Sequence, residues 1–197
     1  MQDFKISKRQ QEIIDCAGKI LSKSGISGLT TKNLALEMQF SESALYRHFK
    51  SKGKIVEVML AFMAHDMDKR LGDAIDSEQS PIQQFTSMFS SQFDFFSKNS
   101  HFVVAAFSDG LMEESKEINL AIKKIMAVKY KHLMPIISAG QKQGEFTDKV
   151  DAKQLIHIVM GTFRLMMFKW RLDEFKFNLI KEGDKNIQAL LNLMRTP

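Results

Sequence analysis

Apolar residues recur at three- and four-residue intervals through almost the whole chain, and no segment alternates with the two-residue period of a half-buried strand. Ser7 opens the first such stretch, with Gln10 three residues on as its capping-box partner. Ile13, Ile14, Ala17, Ile20 and Leu21 then share one face until Gly25 stops the helix. Thr30 is placed to cap a short second helix over 31–38, with Leu34, Ala35 and Met38 inward. Gln39-Phe40 reads as a turn, Ser41 as the cap of a third helix over 42–49, and Lys50-Ser51 as a break before a longer fourth helix over 52–75. Ser80-Pro81 marks the next start, serine as cap and proline at the first helical position. That helix carries Phe85, Met88, Phe89, Phe93 and Phe96. A shorter helix over 101–108 ends at Gly110. The stretch 114–143 is long, closes at Gly144, and holds Pro135, which is expected to kink or split it. Asp151 caps a helix over 152–172, and Asp184 caps a last one over 185–194. The expected fold is all-α, about nine helices and no sheet, with a small N-terminal three-helix head and a larger C-terminal bundle.

Length and composition narrow this picture little. The 197 residues suffice for one large domain or for a head and a body, and 44% hydrophobic with 26% charged residues is ordinary for a globular protein. Met1–Ser7 has no apolar run after it, as a secretory leader would. The most apolar stretch, 155–170, carries His157, Arg164 and Lys169, against a membrane span. The expected location is cytoplasmic, and the one cysteine, Cys16, fits a reducing compartment and the apolar side of the first helix.

Charge adds more. Residues 1–55 hold ten Lys/Arg against five Asp/Glu, which accounts for the whole net charge of +5. One end of the chain is therefore suited to meet a polyanion, although a mildly basic end is also often just solvated surface.

The stretch Ser7–Lys54 gives that end a shape. A long helix is followed by two short helices with a tight turn between them, which is the helix-turn-helix arrangement: the first short helix crosses the DNA backbone and the second enters the major groove. Its residue types suit the task. Thr30 and Thr31 set hydroxyls at one helix N-terminus, where N–H groups and a partial positive charge favour phosphate, and Lys32 adds charge beside them. Ser41 and Ser43 set hydroxyls at the next. Tyr46 lies one turn beyond Ser43, where a phenol reaches a phosphate oxygen, and Arg47, His48, Lys50, Lys52 and Lys54 follow. Ala44 is short enough to touch a thymine methyl, and Glu42 can accept from cytosine N4.

The run GISGLTTKNLALEMQFSESALYRHFKSKGKIV resembles the TetR/AcrR family of bacterial regulators, through Gly25, Thr30, Leu34-Ala35, Ser41, Leu45-Tyr46, Phe49 and Lys52 at matching spacing. The resemblance covers about the first 60 residues. It implies that Thr30 and Thr31 cap the second helix and touch phosphate, that Tyr46 and Lys52 grip phosphates on either side of the groove, and that Glu42, Ser43, Ala44, Arg47 and His48 face the bases. Leu34, Ala35, Leu45 and Phe49 would be core. Two positions depart from the pattern: Gln39 stands where the family has a small residue in the turn, and Glu42 stands where it often has lysine. The first implies a left-handed glutamine, and the second leaves the operator sequence open.

Beyond the head, domains of residues 1–52 for DNA and 53–197 for ligand binding and dimerisation are expected. Sixteen phenylalanines and thirteen methionines are many for this length. Phe85, Met88, Phe89, Phe93, Phe107, Met112 and Met126 are candidates to line an apolar ligand cavity, or are simply bundle core. His157 and Arg164, two helical turns apart, could orient a polar head group, or are rim residues. Ile156, Met160, Phe163, Met167 and Trp170, with Ile187, Leu190, Leu191 and Met194, form two apolar stripes read as a dimer face. A two-fold dimer sets its recognition helices about 34–36 Å apart and calls for a palindromic operator. The function expected is a repressor that binds such a double-stranded DNA operator as a homodimer, and that a small apolar or amphipathic effector releases, with the helix over 52–75 as lever. No cofactor or metal is expected. His48, His65, His101, His132 and His157 are scattered, and no nucleophile–base, phosphate-loop or metal spacing is present. The rivals are a helical enzyme or lipid carrier with an incidental basic end, and a sequence-independent nucleoid or scaffold protein.

Overall fold

The computed structural model describes residues 6–107 and 116–195. Those residues hold nine helices: α1 (Lys8–Gly28), α2 (Thr31–Glu37), α3 (Glu42–Tyr46), α4 (Lys52–Ala74), α5 (Pro81–Lys98), α6 (His101–Ala106), α7 (Lys116–Lys142), α8 (Ala152–Leu172) and α9 (Leu179–Met194). An isolated bridge joins Phe146 to Arg195. The chain packs as two compact units. The first takes the residues up to Asp66 together with Ser100–Ile125, and the second takes Met67–Asn99 together with the chain from Met126. As a packing unit the first extends past residue 52 to Asp66, and it takes in α6 because that helix packs along α1.

In the first unit the capping box at Ser7 is present: Ser7 Oγ accepts from the Gln10 amide at 3.2 Å, and Gln10 Oε1 accepts from the Ser7 amide at 3.0 Å. Gly25, at φ +63°, takes the chain out of helical geometry where the sequence signalled a stop, and a last turn follows it. Ile13, Ile14, Ala17 and Leu21 of α1 are buried with Leu34, Ala35, Leu45, Phe49, Ile55 and Val56. Cys16 is buried too, and burial pushes its thiol pKa up, as expected of a core filler rather than a reactive thiolate. The His101 ring lies so close over Gly18 that a Cβ there would come within 2.7 Å of it. Burial lowers the His101 pKa, and only Asp15 opposes that.

The second unit is built on aromatic contacts. Phe85 meets Phe89 at 4.8 Å between ring centroids, and Phe163 of α8 meets Phe89 at 5.8 Å and Phe93 at 5.7 Å. α5 starts at Ser80-Pro81 with a capping box to Gln83, and Asp151 caps α8, accepting from the amides of Lys153 and Gln154. Asp68 of α4 ties that helix to α7: its carboxylate accepts from Lys131 Nζ at 2.7 and 2.9 Å and lies 2.7 Å from His132 Nε2. The Lys131 hydrogen bond, against some desolvation and with help from His132, holds Asp68 below the usual carboxylate range. After α8 the chain turns through Glu174 and Phe175, both at positive φ. There Trp170 Nε1 donates to the Phe177 carbonyl at 3.0 Å, and the Phe175 ring meets the indole edge-on at 4.8 Å.

Two expectations are corrected. Of the kink or split expected at Pro135, the split does not occur: α7 is one helix through it, with Pro135 exposed while Leu133, Ile136 and Ile137 anchor the same turns in the core. α9 starts at Leu179 rather than Lys185, capped by Asn178, whose side chain accepts from the Lys181 amide at 2.9 Å. Gly183 reads as a breaker in sequence, but it lets the Phe93 ring lie against α9, where a Cβ would come within 2.5 Å of it. The helix begun at His101 ends at Ala106, where the Phe107 amide bonds back to the Val103 carbonyl, short of the expected 101–108; Gly110, read as its stop, and the start expected near Glu114 lie outside the described residues.

Candidate nucleic-acid interface

α2 and α3 are short because each is fixed at both ends by specific groups. Thr30 Oγ1 accepts from the Asn33 amide at 3.0 Å, and Asn33 Nδ2 donates to the Gly28 carbonyl at 2.8 Å, which sets the entry to α2. Gln39 adopts φ +56°, the left-handed turn residue read from sequence. The Phe40 amide then closes α2 on the Ala35 carbonyl at 2.8 Å, and the Arg9 guanidinium lies 4.8 Å from the centre of the Phe40 ring. Ser41 Oγ caps α3, accepting from the Ala44 amide at 3.2 Å, and it shares a 2.9 Å hydrogen bond with Ser43 Oγ. Leu45 and Phe49 are buried beneath α3. Gln10 of α1 donates to the His48 carbonyl at 3.5 Å, a tie that the sequence reading missed because Gln10 already served as a cap.

With its inner side anchored, α3 presents Ser41, Glu42, Ser43, Tyr46, Arg47 and His48 to solvent, and Ala44 half so. Tyr46 is 49% exposed, not a core aromatic. Thr30 and Lys32 are exposed at the start of α2, and Thr31 is half-buried. All of these candidates lie in the first unit, around one helix-turn-helix. Lys52 is half-buried at the start of α4, and Lys54 pairs with Glu57 at 2.7 Å. Sequence reasoning did not foresee that Thr31 Oγ1 donates to Glu42 Oε2 at 2.9 Å. That bond joins the two short helices and holds the acid back from a free reach toward a base edge.

The residues named for a ligand cavity do not come together as one. Phe85, Met88, Phe89 and Phe93 are fully buried and packed as core. Phe107 is half-buried, Met126, His157 and Arg164 are exposed, and Met112 lies outside the described residues. An open groove of about 360 Å³ does lie on the second unit, lined by Thr162, Leu165, Met166, Lys169, Phe177, Glu182 and Asn186, none of them anticipated.

The residues read as dimer stripes face the chain's own interior. Ile156, Phe163, Met167, Trp170, Ile187, Leu190, Leu191 and Met194 are buried within the chain and Met160 is half-buried, because the most regular apolar stripe of a helix is the one that faces its own core. The outward face of α8 carries a second stripe, Ile158, Leu165, Phe168 and Leu172, each exposed, and α9 exposes Ile180 and Leu193.

The sequence reading also passed over two polar residues set in apolar stripes. Gln92 is fully buried on α5 between Phe89 and Phe96, and Lys129 is buried on α7 between Ile125 and Leu133. A polar residue at an inward position of a helical stripe is a signal visible in the sequence.

Comparison with known proteins agrees with this geometry. Residues 13–59 match the family described as "Bacterial regulatory proteins, tetR family", and residues 57–193 match "YsiA-like protein, C-terminal region". The nucleoid occlusion factor SlmA of Shewanella halifaxensis is 24% identical over 173 residues, 88% of each chain. That of Vibrio atlanticus is 24% identical over 179 residues, 90% of this chain and 91% of its own. Among solved structures, the fatty acid degradation regulator FadR from Bacillus halodurans has a TM-score of 0.86 at 15% identity, covering 98% of this chain and all of its own. The Bacillus subtilis FadR complex with stearoyl-CoA has a TM-score of 0.79 at 17% identity, covering 92% and 97%. With both its N-terminal and its C-terminal regions matched, the chain belongs to the TetR family of bacterial regulatory proteins.

Proposed function

We propose that this chain is a ligand-responsive transcriptional repressor that binds a palindromic operator as a homodimer, each protomer laying α3 in the major groove. The observation that carries this reading is the two-sided character of α3 and the turn after it: Leu45 and Phe49 anchor one side in the core, while Ser43, Tyr46, Arg47 and His48 are exposed on the other. Arg47 and His48 reach base edges. Ser43 and Ala44 allow close approach. Tyr46, Lys52, Thr30 and Lys32 hold phosphates. Thr31 and Glu42 act as a pair, with Thr31 setting how far the carboxylate extends. The outward stripe of α8, with Ile180 and Leu193 of α9, supports association, since four large apolar side chains on one helix face are costly to leave in water. An effector bound in the second unit releases DNA by favouring a state in which the two heads no longer match the operator, and it must prefer that state, because equal affinity shifts nothing. We assign residues 1–52 to DNA binding and 53–197 to ligand and partner binding.

The test is titration of the protein with its selected operator and with a scrambled duplex of equal length. The repressor reading expects a preference of at least about 10³. Equal affinity for both duplexes overturns it and leaves a sequence-independent DNA binder, and no binding leaves a helical carrier or enzyme.

The names of the curated relatives favour a second reading, a nucleoid occlusion factor that uses the same DNA interface. Transcript profiles of a deletion strain separate the two: genes beside the bound sites rise under the first reading and stay level under the second.

A further inference from the structure

We propose that Gln92 of α5 and Lys129 of α7, with Arg70 of α4 beside them, form a receptor inside the second unit for the carboxylate of an amphipathic small molecule, whose apolar part lies among the phenylalanines. The identification as effector site rests on the ligand-responsive reading above; the binding chemistry does not.

Lys129 occupies an inward position of α7, in one stripe with Ile122, Ile125, Leu133 and Ile136, all buried. Its ammonium lies 3.4 Å over the centre of the Phe163 ring. The charged group acting on it is another cation, Arg70, and burial with that neighbour lowers its pKa to about 7. Asp68, the acid on the same stretch of α4, is held by Lys131 and His132 instead. Among the described residues no carboxylate pairs with Lys129. A buried ammonium normally has an anionic partner, because the loss of hydration is otherwise uncompensated.

Gln92 supplies the independent observation. It is fully buried, and neither its Nε2 nor its Oε1 has a hydrogen-bond partner. Native proteins leave few such atoms without a role. Its two neighbours on α5 reach toward both cations. Ser91, its neighbour on one side, accepts from Arg70 Nη1 through its carbonyl at 3.3 Å and its hydroxyl at 3.5 Å. Phe93, on the other side, stacks on the Phe163 ring that carries Lys129. The Arg70 guanidinium itself lies 3.9 Å from the Phe95 ring centre.

Three helices thus contribute a buried ammonium, a guanidinium and an open amide to the aromatic interior of one unit. A carboxylate answers all of these at once. One oxygen accepts from Lys129 Nζ and the other from Gln92 Nε2, and its single charge offsets the cation that lacks an acid. A neutral alcohol leaves the charge unanswered. A phosphate dianion brings more charge and more hydration than a lining of phenyl rings and two side-chain donors replaces. The phenylalanines, packed on one another in the ligand-free chain, must part to take the rest of the ligand, so the molecule that fits is a monocarboxylate with an aliphatic or aromatic body.

The experiment is calorimetric titration of the full chain with dodecanoate and with 1-dodecanol, repeated on Lys129→Met and Gln92→Leu. The wild type is expected to bind the acid at least about ten-fold more tightly than the alcohol, the margin of one charge-assisted hydrogen bond. Lys129→Met is expected to bring that ratio to about one while melting at the same or a higher temperature, since an unpaired buried charge is removed. Gln92→Leu is expected to weaken acid binding several-fold, and it carries the comparison if the lysine variant fails to fold. Equal affinity for acid and alcohol overturns the proposal, as does no acid binding up to about 1 mM or a Lys129→Met protein that keeps the preference. Operator titration of the ligand-free wild type runs in parallel. Retained operator binding with failed acid binding sinks this proposal alone, and failed operator binding with intact acid preference sinks only the repressor reading.

Discussion

Single side chains carry the DNA-binding chemistry, and Lys52 is the simplest to isolate. It follows α3 at the start of α4 and is half-buried. If its ammonium meets a phosphate, Lys52→Ala weakens operator and scrambled duplex alike and reduces the slope of log K against log salt by about 0.9. An unchanged slope removes it from the phosphate contacts. Lys129 gives a second prediction, in stability. Its folded pKa, about 7 against an ordinary 10.5, lies below the unfolded one, so between these values the unfolded chain holds a proton that the folded chain has lost. Folding stability therefore rises with pH across that window, by up to about 1.4 kcal/mol per unit, and the penalty is fully present below it. Chemical denaturation at stepped pH reads this. Lys129→Met is expected to flatten the rise, and a rise that persists in the variant shows another group to be responsible. At this scale much was legible in the sequence. Ser7, Thr30, Ser41, Ser80 and Asp151 cap where their side chains predicted, because capping is local chemistry, and Gln39 takes the left-handed turn that its position demanded. The Thr31–Glu42 bond was not legible, since it joins residues on different helices.

Helices show why stripes alone mislead. The periodic residues of α8 and α9 looked like an association surface, yet they face the chain's own interior, because any amphipathic helix must first satisfy its own core. The second stripe on α8 is sparser, broken by Gly161 and Thr162, so its pattern is weak in sequence and clear only once the inner face is filled. α9 was read short for a related reason: Gly183 and Asp184 resemble a stop and a cap, but the glycine is where the Phe93 ring packs. A Gly183→Ala substitution forces a methyl group into a ring already stacked on Phe163. It is expected to cost about 1–3 kcal/mol despite alanine's better helix propensity. For a chain of this length each such kcal/mol lowers the melting temperature by about 2–4 °C. Calorimetry showing an unchanged or higher melting temperature would mean that Phe93 is free to move aside.

For the whole molecule, the proposed reading makes operator recognition depend on two copies. A single α3 reads one half-site, and a two-fold pair reads two at a fixed spacing, with the second contact made at high effective concentration. The outward stripe of α8, proposed above as the association surface, is where this dependence is tested. Changing Leu165 and Phe168 together to Asp is expected to give a folded monomer in sedimentation and to weaken operator binding at least about 100-fold, without altering affinity for a single half-site. A variant that still sediments as a dimer moves the interface elsewhere.

The turn after α8 has a practical consequence. The chain has one tryptophan, and Trp170 is sealed there, its indole N–H on the Phe177 carbonyl and its edge against Phe175. It is a native fluorophore in a dry setting, so its emission lies toward the blue while that corner holds. Any event that loosens the corner shifts the emission to the red, with no dye attached and no nucleic acid in the cuvette.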